Sequence, residues 1–229
     1  NGNKYGFSTT DETHMMKNME WGAVTYLSHS KYGINKEVAL NSANTFTTGC
    51  GPQSAGSTSG GATCNSYTTA LGQSASTTGN VYGVYDMSGG ADEYMMGNMA
   101  WSNGQQVSGY ATSNNYNSAF TGILYGGTSF TGTYVFPSKR YYDKYSYGGN
   151  YTEYTRGKLG DATKEMAPVL SDNTSWYSDY ANFVISFSPW FLRGRDYTVG
   201  TNAGAFSFDR GSGSAFTSGS ARAVISNLN

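Results

Sequence analysis

Hydrophobic residues recur at helical spacing in one stretch of this chain. Over residues 9–29, Met16, Met19, Ala23, Val24 and Leu27 stand three and four apart, with Trp21 beside them. That is the period of an amphipathic helix. Thr9 and Glu12 have capping-box spacing at its start, and Gly33 follows as a stop signal. The spacing predicts a helix over 9–29 whose Met-rich stripe packs into a core. Both histidines, His14 and His29, fall on it.

Elsewhere short apolar runs alternate with polar loops. Residues 42–79 are rich in Gly, Ser and Thr and read as a long decorated loop. Residues 81–98 are compact and apolar. Tyr82, Val84 and Met87 alternate around Gly83 and Gly89 there, as a strand entering a tight turn would. Residues 100–149 return to Gly, Ser, Asn and Tyr, with strand-like runs at 122–125 and 133–136. A short helical turn is expected over 159–166. The spaced aromatics Trp176, Tyr177, Tyr180, Phe183 and Phe187 fit a packed strand or turn. Phe206 and Phe208, two apart, should point to one face of a strand, inward, with Ser207 outward. No repeat at a solenoid period is present. The expected class is α+β, one domain over 1–229, with short twisted strands, few helices and long loops rich in Gly, Ser and Tyr.

Charge removes one class of partner. Only 13% of residues are charged, the net charge is −1, and no basic run exists, so nucleic acid is not expected to bind. The 20 Tyr and 31 Gly, with abundant Ser and Asn, form the palette of antibody-like binding surfaces. A secreted, loop-rich protein without such a role has the same palette, so composition leaves both open. Cys50 and Cys64 flank a Gly/Ser-rich stretch with no His or third Cys nearby, which is too few ligands for a metal site. A disulfide there would fit an oxidising compartment; two reduced thiols are the alternative. The visible chain has no signal peptide, no apolar run long enough for a membrane and no initial Met. A trimmed ectodomain is expected, with any leader or anchor upstream.

The last 39 residues carry a compositional gap. Residues 191–229 contain no Lys, Glu, Gln, Met or Trp, although these types supply 30 of the 229 residues. About five would be expected by composition. An AAC codon mutated only at its two adenines reaches Asp, Tyr, His, Ser, Thr, Val, Ala, Gly, Arg and Phe, and none of the five absent types. The tail therefore reads as a fixed scaffold with randomised positions.

Two segments carry a family resemblance. Residues 80–94, NVYGVYDMSGGADEY, resemble the N-x-x-G-L-Y-D-M-x-G-N-V-W-E-W signature of formylglycine-generating-enzyme-like domains, a branch of the C-type lectin fold. Gly90, Asp92 and Tyr94 depart from it. Trp190, Phe191, Leu192, Arg193 and Gly194, with Ala221, Arg222, Ala223 and Val224 about thirty residues on, are similar to that family's R-G-G-S … G-F-R ending. Asp86 and Glu93, if buried, need backbone or Arg partners. Arg193 and Arg222 are candidates, because the guanidinium fork matches a carboxylate; two solvated acids are the bland reading. The catalytic members use a cysteine pair in the C-terminal region, and this chain has no cysteine after Cys64. That activity is not carried over, and no enzyme is expected. No triad, Walker loop or zinc spacing is present, and the calcium-holding elements of sugar-binding lectins are absent. No cofactor is expected.

The remaining branch is the variable proteins of diversity-generating retroelements. Their C-terminal segment resembles this one, with an R-G-G start, an A-G-x-F-x-F centre and an S-x-R-A-V end. Arg195 stands where Gly is usual, and Ala221 where Phe is usual. The resemblance implies a bacterial or phage surface-displayed binding protein of receptor or adhesin type. Fixed residues Arg193, Gly194, Gly200, Ala203, Gly204, Phe206, Phe208, Gly213, Ser220, Arg222 and Val224 would stand inside. Asp196, Tyr197, Thr198, Val199, Thr201, Asn202, Ser207, Asp209, Arg210, Ser212, Ser214, Phe216, Thr217 and Ser218 would face the ligand. That ligand would be a protein or glycan on another cell or phage host. A pilus, fibre or membrane anchor could join through upstream sequence, and the location would be extracellular, on a cell or a virion. A structural pilus or tail-fibre subunit of the same fold, or a formylglycine-generating-type enzyme, are the rival readings.

Overall fold

A computed structural model describes residues 11–58, 60–100, 140–146, 157–167, 169, 172–185 and 188–226. The strand-like runs at 122–125 and 133–136, Thr9 and Phe187 lie outside them. The class is α+β, with few helices and several sheets.

The first helix is shorter than its hydrophobic period. Residues Glu12–Met15 form strand β1, and helix α1 spans Asn18–Ser28. The start is set by Glu20, whose carboxylate accepts the Lys17 backbone N–H at 2.9 Å. The Thr9–Glu12 box therefore does not start the helix, and His14 lies on β1. The Met stripe is buried only in part: Met16 lies in the core with Val24 packed against it, whereas Ala23 and Leu27 are exposed, and the buried face of α1 itself is a different one. It consists of Asn18, Trp21, Gly22, Thr25 and Ser28, while Leu27 is 59% exposed. Hydrogen bonds explain the choice. Trp21 Nε1 and Thr25 Oγ1 both donate to the Ala205 carbonyl, at 2.8 and 3.1 Å. Asn18 Nδ2 donates to Tyr145 Oη at 2.8 Å. A polar stripe is buried without penalty when each group finds a partner. Gly22 lets the helix lie against the 160–161 backbone, where a Cβ would stand 2.3 Å from the Gly160 carbonyl.

The main sheet is built on β4 (Asp92–Ala100). One edge of β4 pairs antiparallel with β6 (Trp190–Gly194). The other edge is shared by two parallel partners. Strand β8 (Gly219–Ala221) covers its start and β5 (Asp143–Ser146) covers its end. Strand β7 (Gly204–Gly211) continues the sheet beyond β6. Strand β9 (Ala223–Ser226) pairs with β1. The expected strand around Gly83 is not formed: Tyr82 is 92% exposed, the segment is a series of turns, and the ladder begins only at Asp92. The core gathers Trp21, Met87, Met95, Met99, Phe183, Phe191 and Phe208.

Residues 42–79 are a loop with punctuation. Strands β2 (Cys50–Gly51) and β3 (Asn65–Ser66) pair, and helix α2 spans Ala70–Gln73. Cys50 and Cys64 are disulfide-bonded, with Cα atoms 5.6 Å apart. Over 159–166 a single turn closes at Thr163, whose carbonyl accepts the Ala167 N–H at 3.1 Å. Residues Trp176–Ser178 form a 3₁₀ turn with Trp176 and Tyr177 about half exposed, while Phe183 is buried.

A candidate binding face around the start of the central strand

The C-terminal segment divides by burial. Of the residues expected inside, Arg193, Gly194, Ala203, Gly204, Phe206 and Phe208 are buried, whereas Gly200, Ser220, Arg222 and Val224 are half-buried and Gly213, in the loop after β7, is exposed. Phe206 sits in an aromatic nest, edge-on to Trp176 at 5.3 Å and against His29 at 4.5 Å. Thr198, Thr201, Ser214, Phe216 and Thr217 are exposed. Asp196, Tyr197, Val199, Asn202, Asp209, Arg210, Ser212 and Ser218 are half-buried, which corrects the expectation that all of them are freely displayed.

Ser207 is the clear correction. It was expected outward and has 0% exposure. Strand β7 shows no alternation with solvent here: burial is continuous from Gly204 to Phe208, Phe206 and Phe208 join separate core clusters, and both edges of the strand are occupied. Strand β6 runs along one, and on the other Phe208 N donates to the Tyr180 carbonyl while Asn182 N donates to Phe208 O, each at 2.9 Å.

The two arginines play different roles. Arg222 meets the expectation. Its Nε donates to Glu93 Oε2 at 2.9 Å, Nη2 donates to Glu93 Oε1, and Nη1 donates to the Tyr85 carbonyl at 2.8 Å. Register explains the meeting, since β8 places Ser220 beside Glu93 two residues before Arg222. Burial pushes the Glu93 carboxyl upward, and the Arg222 fork opposes it. Arg193 instead donates to Asn18 Oδ1 at 2.7 Å and to the carbonyls of Asp161, Ala162 and Ser207. It ties helix α1, the 161–162 turn and β7 together.

Asp86, whose burial the sequence leaves open, is half-buried, with φ +62. Asn41 Nδ2 donates to its Oδ1 at 2.6 Å, and Gly49 N approaches the carboxylate at 3.3 Å. Burial raises its pKa, against the pull of Asn41 and Arg222.

Arg195 and Asp92 were not singled out as a pair by any motif. Arg195 has φ +60, a conformation that favours glycine. Its guanidinium pairs with Asp209 and lies 4.4 Å from the centre of the Tyr180 ring, which offsets some of the strain. Asn182 Nδ2 also donates to Asp209, at 3.1 Å. Asp92 is 8% exposed, and its Oδ1 is enclosed without a hydrogen bond. Desolvation lifts its pKa to about 7; Arg195 lowers it, and Asp196 and Asp209 raise it further. Its backbone N–H donates to Ser218 O at 2.9 Å, and Ser220 Oγ donates to its carbonyl at 3.1 Å.

These contacts bring the two displayed stretches to one place. Tyr197 packs edge-on against Phe46 at 5.5 Å, and its N–H donates to Gly90 O at 3.1 Å. Phe216 packs edge-on against Tyr94 at 5.8 Å, and Tyr94 Oη donates to Ser214 O at 3.1 Å. Between Phe46 and Thr217 opens a cleft of about 470 Å³, with Asp86, Glu93 and Arg222 in its wall. A surface with the exposed Phe216 and half-buried Phe46, Tyr94 and Tyr197 beside a concavity of this size can hold a ligand. Among the described residues, no three His, Cys, Asp or Glu side chains converge as metal ligands, and no helix is long and apolar enough to cross a membrane. No family model matches the chain, and neither a curated protein nor a solved structure matches it.

Proposed function

We propose that this chain is a surface-displayed binding protein of the C-type lectin fold, formylglycine-generating-enzyme-like branch, diversified at residues 191–229 by a retroelement. The observation that carries the proposal is the absence from that segment of all five residue types that an AAC codon cannot reach. Burial supports it. The residues assigned to the scaffold include Arg193, Phe206 and Phe208 in the core, while Thr198, Thr201, Ser214, Phe216 and Thr217 are exposed. The role is binding and not catalysis, because no cysteine follows Cys64 to serve as the C-terminal pair of the catalytic members. The Cys50–Cys64 bond supports display outside the cell.

Sequencing the DNA beside the gene tests the reading. A near-copy of the segment encoding residues 191–229, with adenines at the varied positions and a reverse-transcriptase gene nearby, is the expected result. A locus with neither overturns it.

A further inference from the structure

The cleft beside Phe46 is built mainly from residues outside the segment 191–229. Its chemistry is one-sided. Three ionisable groups line it: Asp86, Glu93 and Arg222. The bidentate Arg222–Glu93 pair neutralises itself within the wall, and the third Arg222 contact is spent on the Tyr85 carbonyl. One negative charge, on Asp86, is left over. Its Oδ1 takes the short Asn41 bond, Oδ2 meets Gly49 N at 3.4 Å, and the Thr48 side chain, also in the cleft wall, hydrogen-bonds the carboxylate as well. A carboxylate has about four acceptor sites, so with three donors placed it can still take one from a ligand. The walls beside it are aromatic, Phe46 and Tyr85. Phe46 is held at φ +55 and Asp86 at φ +62, conformations that non-glycine residues adopt only at a cost and that cluster at ligand sites.

An acidic acceptor facing aromatic surface in a half-enclosed space is the environment that a planar cation prefers, because carboxylate and ring faces both attract it. The same molecule uses this arrangement internally, where Arg195 lies over Tyr180 and pairs with Asp209. We infer that the cleft between Phe46 and Thr217 receives an arginine side chain of a protein ligand, its guanidinium against Asp86 and the aromatic wall. A glycan is the competing occupant, but the unbalanced charge favours a cation. The inference deepens the binding role proposed above by naming a ligand chemistry. It does not depend on diversification, since Asp86, Phe46 and Tyr85 lie outside the variable segment.

The test is calorimetric titration of the intact chain with acetyl-Gly-Arg-Gly-amide, its citrulline counterpart and a set of methyl glycosides. Citrulline keeps the shape and removes the charge. The expected result is saturable binding of the arginine peptide with Kd of about 1 mM or below, at least about tenfold weaker for citrulline, and weakened by salt. Asp86→Asn, which keeps a side chain tolerant of positive φ, should lose about tenfold. Thr217→Lys, at an exposed rim position that folding does not need, should lose a similar factor by placing a cation in the cleft; it carries the test if Asp86→Asn does not fold. Equal affinity for the arginine and citrulline peptides, no saturation by the arginine peptide, or saturation by a methyl glycoside in its place would each overturn the inference. These outcomes leave the retroelement reading untouched, because the neighbouring DNA decides that one.

Discussion

At the scale of single residues, charge in the wall of the sheet dominates. Removing one partner of a buried pair strands the other. Arg222→Ala should leave Glu93, 5% exposed, without its fork and cost on the order of 3–5 kcal/mol. Thr217→Ala, at an exposed position, should stay within about 0.5 kcal/mol. Denaturant midpoints for the two variants measure the contrast, and equal midpoints would deny Arg222 its structural role. Asp92 makes a pH-dependent contribution of the opposite kind. Its unfolded value is 3.8 and its folded value about 7. Between these, the native state keeps a proton that the unfolded chain has released, so stability is lost as pH rises through that window. Asp92→Asn cannot ionise. It should match the parent near pH 3.8 and exceed it at pH 8 by roughly 1–3 kcal/mol. Parallel stability curves for the two proteins from pH 4 to 8 would sink this account.

At the scale of elements, close approach decides more than propensity does. Alanine is favoured over glycine in a helix by about 1 kcal/mol. At Gly22, however, the added methyl would meet the Gly160 carbonyl at 2.3 Å and the Asp161 backbone at 2.7 Å. Gly22→Ala should therefore lower the melting temperature by forcing helix α1 away from the 160–161 turn; a rise would show that the helix yields freely. Strand β7 works by burial. Phe206→Ala should cost about 3–5 kcal/mol, because His29, Trp176 and Tyr177 would be left around a void. Urea unfolding reads this directly, and a loss below about 1 kcal/mol would mean that the nest collapses onto the gap.

For the whole molecule, the test is which positions tolerate change together. A library randomised at Thr198, Thr201, Ser214, Phe216 and Thr217 should express as folded protein in most members, since exposed substitutions cost little each and distant ones add. Extending the library to Ser207 and Asp209 should make most members unfold or aggregate. Ser207 has no room to grow, and Asp209 holds Arg195 and Asn182. Solubility and melting curves of randomly picked clones distinguish the two libraries. If both fold equally well, the division between scaffold and display is wrong.

The sequence by itself determined what depends on local period, on count or on complementary chemistry. Two cysteines allow one disulfide, alternation places Phe206 and Phe208 inward, and an arginine near the end of the chain finds an acid near its middle. The α+β class was also legible, from one helical period among short apolar runs. Tertiary structure decided the rest, because burial depends on what arrives from far along the chain. Helix α1 turned its polar Trp21–Thr25 face inward, since the Ala205 carbonyl offers both side chains a partner; periodicity alone pointed to the Met stripe. Arg193 took carbonyls from turns that no motif marks. Ser207 lies in a stretch of β7 buried continuously from Gly204 to Phe208, where alternation pointed to one solvent face. Asp92 became an enclosed carboxyl only when the strand pairing brought Ser218, Ser220 and Arg195 around it. Hydrophobic period sets which local conformations are cheap; satisfaction of buried polar groups across long separations sets which face of each is kept from water.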